Sequence, residues 1–348
     1  MENIKIAVWG FGAMGSGIAS MLLKKTGAEI VGVCDIHPDR AGKDMYDILG
    51  IDRKGKAPLI IKSNIEEVIK EKSCDVAIIA TDSYTKNAFP KIKFCLEKKV
   101  NVISTAEEMA FPKAQSPELA EEMDRIAKEN GVTVLGTGIN PGFVLDYLIL
   151  ALTGTCEAVE VIKASRVNDL SPFGHAVMEE QGVGISPEEF KKRIANNALA
   201  GHVGFPESIR MVAEGIGWDI EKIEQTKDPI ISNTYRKTKY TEVKPGNLAG
   251  VRQRGFGYVD GTLKIEMDHP QQILPQTENI DTGDYITIKG NPAINLQIKP
   301  EIPGGTGTVA MCVNMIPHVI NSRPGLKTML DLPVPRAIMG DMRKLIER

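Results

Sequence analysis

Three glycines, Gly10, Gly12 and Gly15, stand at GxGxxG spacing near the start of the chain, and Asp35 follows twenty positions after the last of them. This pattern suits the binding of an adenine dinucleotide, whose pyrophosphate must come almost into contact with backbone N–H groups at a helix N-terminus. Gly10 would supply the tight turn, Gly12 the close approach of backbone to phosphate, and Gly15 the close packing of helix on strand. Phe11, Ala13 and Met14 complete the loop. A bare GxGxxG is a weak signal, so its setting decides. Lys5 to Trp9 is a short apolar run suited to a buried strand, and Ala13 to Lys25 spaces Met14, Ile18, Met21 and Leu22 as an amphipathic helix. Glu29 to Asp35 then reads as a second strand with a carboxylate at its end. The bland alternative is a glycine-rich turn that only packs a helix on a strand; Asp35 in register argues against it.

A carboxylate at that point hydrogen-bonds adenosine ribose hydroxyls and repels a 2′-phosphate, which favours NAD over NADP. His37, Arg40 and Lys43 follow closely. They would offset the repulsion, or simply begin a solvated helix, so the choice between NAD and NADP stays open.

The elements that must position these residues alternate strand and helix. Ser63 to Glu66 has capping-box spacing, Asp75 to Thr81 is a nearly continuous apolar strand, and a helix near Thr85 to Lys98 should be kinked or started late by Pro90. Asn101 to Thr105 is a strand, Ser116 and Pro117 open a helix closed by Gly131, and Val132 to Gly136 is the next strand. The order predicts a Rossmann-type α/β domain with a doubly wound parallel sheet, in which ligands sit outside the strands' carboxyl ends. Thr81, Asp82, Thr105, Glu107 and Glu108 fall at those ends.

Asn140-Pro141-Gly142 is expected to open a helix through about Thr153, near a domain crossing. Val159 to Val167 then alternates like a strand exposed on one face, Ser186 to Glu189 is a second capping box, and Pro206 to Gly217 reads as a helix. Strand signals dominate from Ile223 to Lys299, with a hairpin at Asp260-Gly261. The expected division is residues 1–138 for the dinucleotide, 139–303 as an α+β substrate and dimerisation domain with a mixed or antiparallel sheet, and 304–348 as a helix and tail returning to the first domain.

Composition narrows the class. With 348 residues, 42% hydrophobic and 25% charged, the chain can bury two cores, since one core rarely grows past ~250 to 300 residues. A net charge of −3 without a long basic stretch disfavours nucleic acid and anionic membrane surfaces. The first strand begins too early for a signal peptide, and no apolar run reaches ~18 residues, so no membrane helix is expected. Five scattered cysteines without CxxC pairs point to reduced thiols in the cytoplasm, and His and Cys spacing to no metal site.

Several residues could handle a small polar substrate. Glu108 could act as a base or ammonium ligand, or be a plain helix-start acid. Asn140 could bond a substrate or a carboxamide, or serve as an N-cap. His202, in a glycine-flanked loop, could move protons near neutral pH, with His175 as the competing histidine and Glu207 to orient either. Arg252 and Arg254 should project from one strand face, to hold a carboxylate or to solvate the sheet. Gly304 to Thr308 could form an anion nest before a helix, or a linker.

The segments Gly10 to Gly15, Ser104 to Met109, Gly136 to Phe143 and Gly201 to Glu207 together resemble the 2,4-diaminopentanoate dehydrogenase family, over essentially the whole chain. That family is distantly similar in architecture to dihydrodipicolinate reductase and diaminopimelate dehydrogenase. The resemblance implies NAD(P)-linked oxidative deamination of a small diamino acid, 2,4-diaminopentanoate, to 2-amino-4-oxopentanoate and ammonia. A homodimer or higher homo-oligomer is expected, because antiparallel sheets in second domains often pair across a two-fold. A ring-imine reductase would carry a His-His pair, whereas His175 and His202 each stand alone in the sequence. A dinucleotide-binding redox sensor would need an interaction module that is not visible.

Overall fold

A computed structural model describes residues 1–199 and 201–347. The chain divides into two compact units, residues 1–143 with 303–348, and residues 144–302. In chain order the first unit runs β1 (Ile4–Trp9), α1 (Ala13–Leu22), β2 (Ala28–Cys34), α2 (Met45–Leu49), β3 (Val76–Ile79), α3 (Thr85–Glu97), β4 (Asn101–Ser104), α4 (Pro117–Asn130) and β5 (Thr133–Gly136). The second runs α5 (Tyr147–Thr153), β6 (Ala158–Asp169), α6 (His175–Glu180), α7 (Pro187–Ala195), α8 (Phe205–Ile216), β7 (Lys222–Ile231), β8 (Arg236–Lys237) and β9 (Glu242–Val243). It ends with β10 (Leu248–Val259), β11 (Thr262–Gln272), β12 (Gly283–Asn291) and β13 (Ile294–Ile298), before α9 (Gly304–Asn314), α10 (Ile316–Asn321) and β14 (Gly325–Lys327) rejoin the first unit.

The first sheet is parallel throughout, in the order β14-β5-β4-β3-β1-β2. Its central strands are apolar on both faces, as burial under two helical layers requires. Ala77, Ile79, Val102 and Val134 pack against Ile92, Cys95 and Leu96 of α3 and Met123, Ile126 and Ala127 of α4. Helix α9 returns to lie on α1, so close that a Cβ on Gly17 would stand 2.9 Å from the Val309 side chain.

Two local expectations are corrected. Helix α3 is not started late by Pro90: it starts at Thr85, whose N–H is capped by the Glu108 carboxylate at 2.7 Å, and carries Pro90 inside. Residues 140–146 are turns, and the helix opens only at Tyr147, where Asp146 Oδ1 accepts from Tyr147 N at 2.6 Å. Asp146, not Asn140, is therefore the cap.

The second sheet is mixed, in the order β13-β12-β6-β11-β10-β7, with β6 and β11 parallel and the other pairs antiparallel. Val259 faces Thr262 across the Asp260-Gly261 hairpin. One face is covered by α8: a Cβ at Gly255 or Gly257 of β10 would come within 3.0 Å of Phe205 or 2.7 Å of Ile209. No described helix is long and apolar enough to cross a membrane.

Candidate active site

In the first unit the functional side chains lie on loops after β1, β2, β3, β4 and β5. Gly10 has φ +93°, and a Cβ there would meet Ala80 O at 2.5 Å; a Cβ at Gly15 would meet Gly10 O at 1.8 Å. Both glycines are thus required by the protein's own packing. Gly12 differs. Its φ of −72° suits any residue, and a Cβ built there has nothing within 4 Å. Neither packing nor conformation asks for glycine at 12, and the space left open at the start of α1 would admit a pyrophosphate.

Asp35 is buried, with Oδ2 accepting from Phe11 N at 2.5 Å and Oδ1 from His37 N at 2.7 Å, and the Arg40 guanidinium stands 3.5 Å from Oδ2. The carboxylate therefore ties the glycine loop to the end of β2, and its remaining lone pairs are available to a ribose. Thr81 donates to Asp82 at 3.3 Å, and Asp82 is paired with Lys91 at 2.6 Å. Thr105 N bonds Ile79 O at 3.0 Å. Glu107 and Glu108 begin a short 3₁₀ turn, and Glu108 N donates to Ser83 O at 3.1 Å while its carboxylate caps α3. Glu108 is a helix-end acid, then, but for α3 and not for the turn that contains it.

Asn140 carries the strongest sign of a ligand in this unit. Both polar atoms of its carboxamide are enclosed and have no hydrogen-bond partner. Leaving such a group unmatched costs roughly 1–3 kcal/mol. The segment that holds it is fixed by Ile139 N donating to Thr308 Oγ1 at 3.2 Å, which places it on the first turns of α9. The Gly12 space, the Asp35 carboxylate and the Asn140 carboxamide together fit a nicotinamide dinucleotide, which the loop's backbone N–H groups, Asp35 and Asn140 would hold. That group, when bound, accepts a hydride.

In the second unit a polar cluster sits on the covered sheet face. Arg166 of β6 and Asp284 of β12 are directly opposed and joined at 2.5 Å, with both side chains buried. Arg166 Nη2 also donates to Ile302 O at 2.5 Å, and Ile302 N to Asp284 Oδ2 at 2.9 Å. Burial lifts the Asp284 carboxyl above its usual range despite the guanidinium beside it. His269 of β11 lies 2.6 Å through Nδ1 from Arg166 O, and its ring meets the His202 ring edge-on at 4.9 Å. His202 also meets Phe205 edge-on at 4.9 Å. Although His202 as a residue is only half-buried, its Nε2 is enclosed without a partner, as is Oδ1 of Asn168.

Desolvation, helped by the Arg166 charge, pushes the His202 imidazole down to about 3; desolvation first, then His202 and Arg166, holds His269 well below its ordinary value. Both are neutral at physiological pH. A carbonyl only accepts, so the His269 proton sits on Nδ1 and its Nε2 is a bare lone pair. These observations correct one expectation. His202 does not titrate near neutral pH, and although it has no histidine beside it in the sequence, the fold sets His269 against its ring.

The other candidates fall elsewhere. His175 is exposed in the first turn of α6, and Glu207 is buried in the first turn of α8. Arg252 and Arg254 do share a face, but each already holds a carboxylate: Arg252 grips Asp268 at 2.7 and 2.9 Å, and Arg254 reaches Asp228 at 2.8 Å. A buried cation of this cluster that the sequence reading does not single out is Arg166. Its signal was parity, for it shares a strand face with Ile162 and Ala164, just as His269 shares one with Ile265 and Met267. Among the described residues no group of three or more His, Cys, Asp or Glu could hold a metal ion.

A parallel sheet with this glycine loop and carboxylate defines a nucleotide-binding, Rossmann-type dehydrogenase. Residues 143–348 match the family described as 2,4-diaminopentanoate dehydrogenase C-terminal domain, and residues 4–133 that described as dihydrodipicolinate reductase, N-terminus. The chain is 58% identical over 347 residues to 2,4-diaminopentanoate dehydrogenase of Acetoanaerobium sticklandii, covering 99% of this chain and 98% of that one. It is 23% identical over 354 residues to an amine dehydrogenase of Streptomyces virginiae, covering 96% and 98%. The solved amine dehydrogenase of Mycobacterium smegmatis matches with a TM-score of 0.85 at 28% identity, over 97% of this chain and 98% of that one. The chain belongs to the 2,4-diaminopentanoate dehydrogenase family.

Two predictions follow from the geometry. Gly15→Ala should lower unfolding free energy by about 1–3 kcal/mol through overpacking, whereas Gly12→Ser, which keeps a good residue at the N-cap of α1, should leave the urea midpoint nearly unchanged and weaken NADH binding at least about tenfold, roughly 1.4 kcal/mol. Equal loss of stability in both would contradict the open space at Gly12. The histidines give a pH dependence. Their folded pKa values are depressed below an unfolded value of about 6.5, so the unfolded chain binds protons first and stability falls as pH drops from there towards 3. The slope should approach about 1.4 kcal/mol per pH unit for each histidine. Urea unfolding at pH 7 and pH 5 should show a smaller loss in His202→Gln; parallel losses would mean that His202 is not buried neutral.

Proposed function

We propose that the protein catalyses NAD(P)-linked oxidative deamination of 2,4-diaminopentanoate at its 4-amino group, giving 2-amino-4-oxopentanoate and ammonia. The observation that carries this reading is the likeness along the full chain to 2,4-diaminopentanoate dehydrogenase. The residues supply a chemical rationale. Hydride leaves an amine-bearing carbon only when the nitrogen is neutral and its lone pair can drive electrons into the forming iminium. The ammonium must therefore first lose a proton, and a water must then add to the iminium before ammonia departs.

Glu108 is assigned the proton transfers, its carboxylate steadied by the Thr85 N–H on Oε2 and by Gln115 Nε2, which donates to Oε1 at 3.4 Å. His202 is assigned a neutral hydrogen-bonding role through its unpartnered Nε2. Arg166, Asn168 and His269 provide a buried donor and two acceptors for the substrate's charged ends, in place of Arg252 and Arg254. Asn140 is assigned the carboxamide of the nicotinamide or a polar group of the substrate. NAD is the preferred cofactor in this reading, because Asp35 stands at the end of β2, and Arg40 is the residue that would soften the preference.

Initial rates with 2,4-diaminopentanoate, ornithine and meso-diaminopimelate, each with NAD and NADP, test the reading. Turnover should be fastest with 2,4-diaminopentanoate and NAD. Good turnover of either other substrate without turnover of the first would overturn it. In the same assay Glu108→Gln should cut kcat by about 10²-fold or more, the size of general acid–base catalysis, with NADH affinity little changed.

A further inference from the structure

The loop that carries His202 is held by side chains from other elements. Gln181 Nε2 donates to Gly201 O at 3.0 Å, and Lys227 Nζ to Leu199 O at 2.9 Å. Gln253 of β10 does more. Its Oε1 accepts from His202 N at 2.8 Å and its Nε2 donates to His202 O at 2.9 Å, so one carboxamide bonds both backbone groups of one residue, as a paired strand would. The second Nε2 hydrogen goes to Gln225 Oε1 on β7 at 3.0 Å, which uses the amide's donors fully and fixes which way it faces. Gln253 is buried, and the loop is shaped around it: Gly201 has φ +67°, and a Cβ there would stand 2.4 Å from Gln253 Oε1.

The His202 ring is held differently. Its Nε2 has no partner, and its neighbours are the edge-on rings of Phe205 and His269. The direction of that nitrogen is therefore set by where the backbone of His202 is pinned. We infer that Gln253 is a positioning residue for the reaction, its two-point clasp on the His202 backbone aiming the imidazole. The inference rests on the reading that His202 takes part in turnover, and Gln253 acts only through it.

A double-mutant cycle with 2,4-diaminopentanoate and NAD separates the two. Gln253→Met removes both clasp bonds at similar length, and Gln253→Glu keeps the acceptor for His202 N but loses the donor. The expected result is a kcat lowered roughly 10- to 100-fold in Gln253→Met, as for a misplaced catalytic group, with KM for NAD within about twofold of the parent. Gln253→Glu should fall in between. In a His202→Ala background neither change should lower kcat further, because nothing remains to aim. Should Gln253→Met fail to fold, Gln253→Glu carries the same cycle. Unchanged kcat in the Gln253 variants, with turnover slowed in His202→Ala, overturns the clasp and leaves the role of His202 intact. Losses of equal size in both backgrounds also overturn it, by making Gln253 merely structural. A kcat indifferent to His202→Ala removes the reading of His202 and the inference with it.

Discussion

Taking Arg166, His202 and His269 out of water is the constraint around which the second unit is arranged. A lone buried guanidinium would be prohibitively costly, so β6 and β12 pair in the register that sets Arg166 opposite Asp284, and the chain at Ile302 closes the remaining bonds. The same desolvation keeps both imidazoles neutral. The glycines of β10 let α8 lie close enough to cover this face, and Phe205 at its start packs against the His202 ring. Burial thus produces two chemical facts at once: uncharged imidazoles at working pH, and polar atoms at His202 and Asn168 that the protein leaves unmatched.

The first unit obeys a steric constraint. Gly15 lies so near Gly10 that no side chain fits, and Gly10 so near Ala80 that the loop after β1 is locked to the end of β3. Asp35 then fastens the loop to β2 through Phe11 N. The open position at Gly12 belongs to that tied loop, and the unmatched Asn140 carboxamide to a segment held on Thr308 through Ile139 N. Preorganisation of this kind lowers the cost of binding.

What was legible in the sequence follows the range of the interactions. The loop at Gly10 to Gly15, the Ser186 cap, the helix closed by Gly131 and the hairpin at Asp260-Gly261 are set by residues within a few positions of one another, and local rules read them. The polar cluster is not local: Arg166 and Asp284 are 118 positions apart, and only sheet register brings them together. Arg252 and Arg254 looked free because the cross-strand partners Asp268 and Asp228 are invisible without that register. The helix start expected at Asn140 fails for a different reason. Asn-Pro-Gly resembles a helix start, but the chain turns through residues 140–146 before Asp146 caps α5.

The proposed reaction breaks the C–H bond beside the 4-amino group and passes its electron pair to nicotinamide. It is tested most directly with 2,4-diaminopentanoate carrying deuterium at C4, turned over with NAD and followed by proton NMR of the reduced cofactor and the amino acid product. One deuterium is expected at C4 of the nicotinamide ring and none in 2-amino-4-oxopentanoate. Deuterium retained in the product, or released to water before reduction of the cofactor, would contradict it.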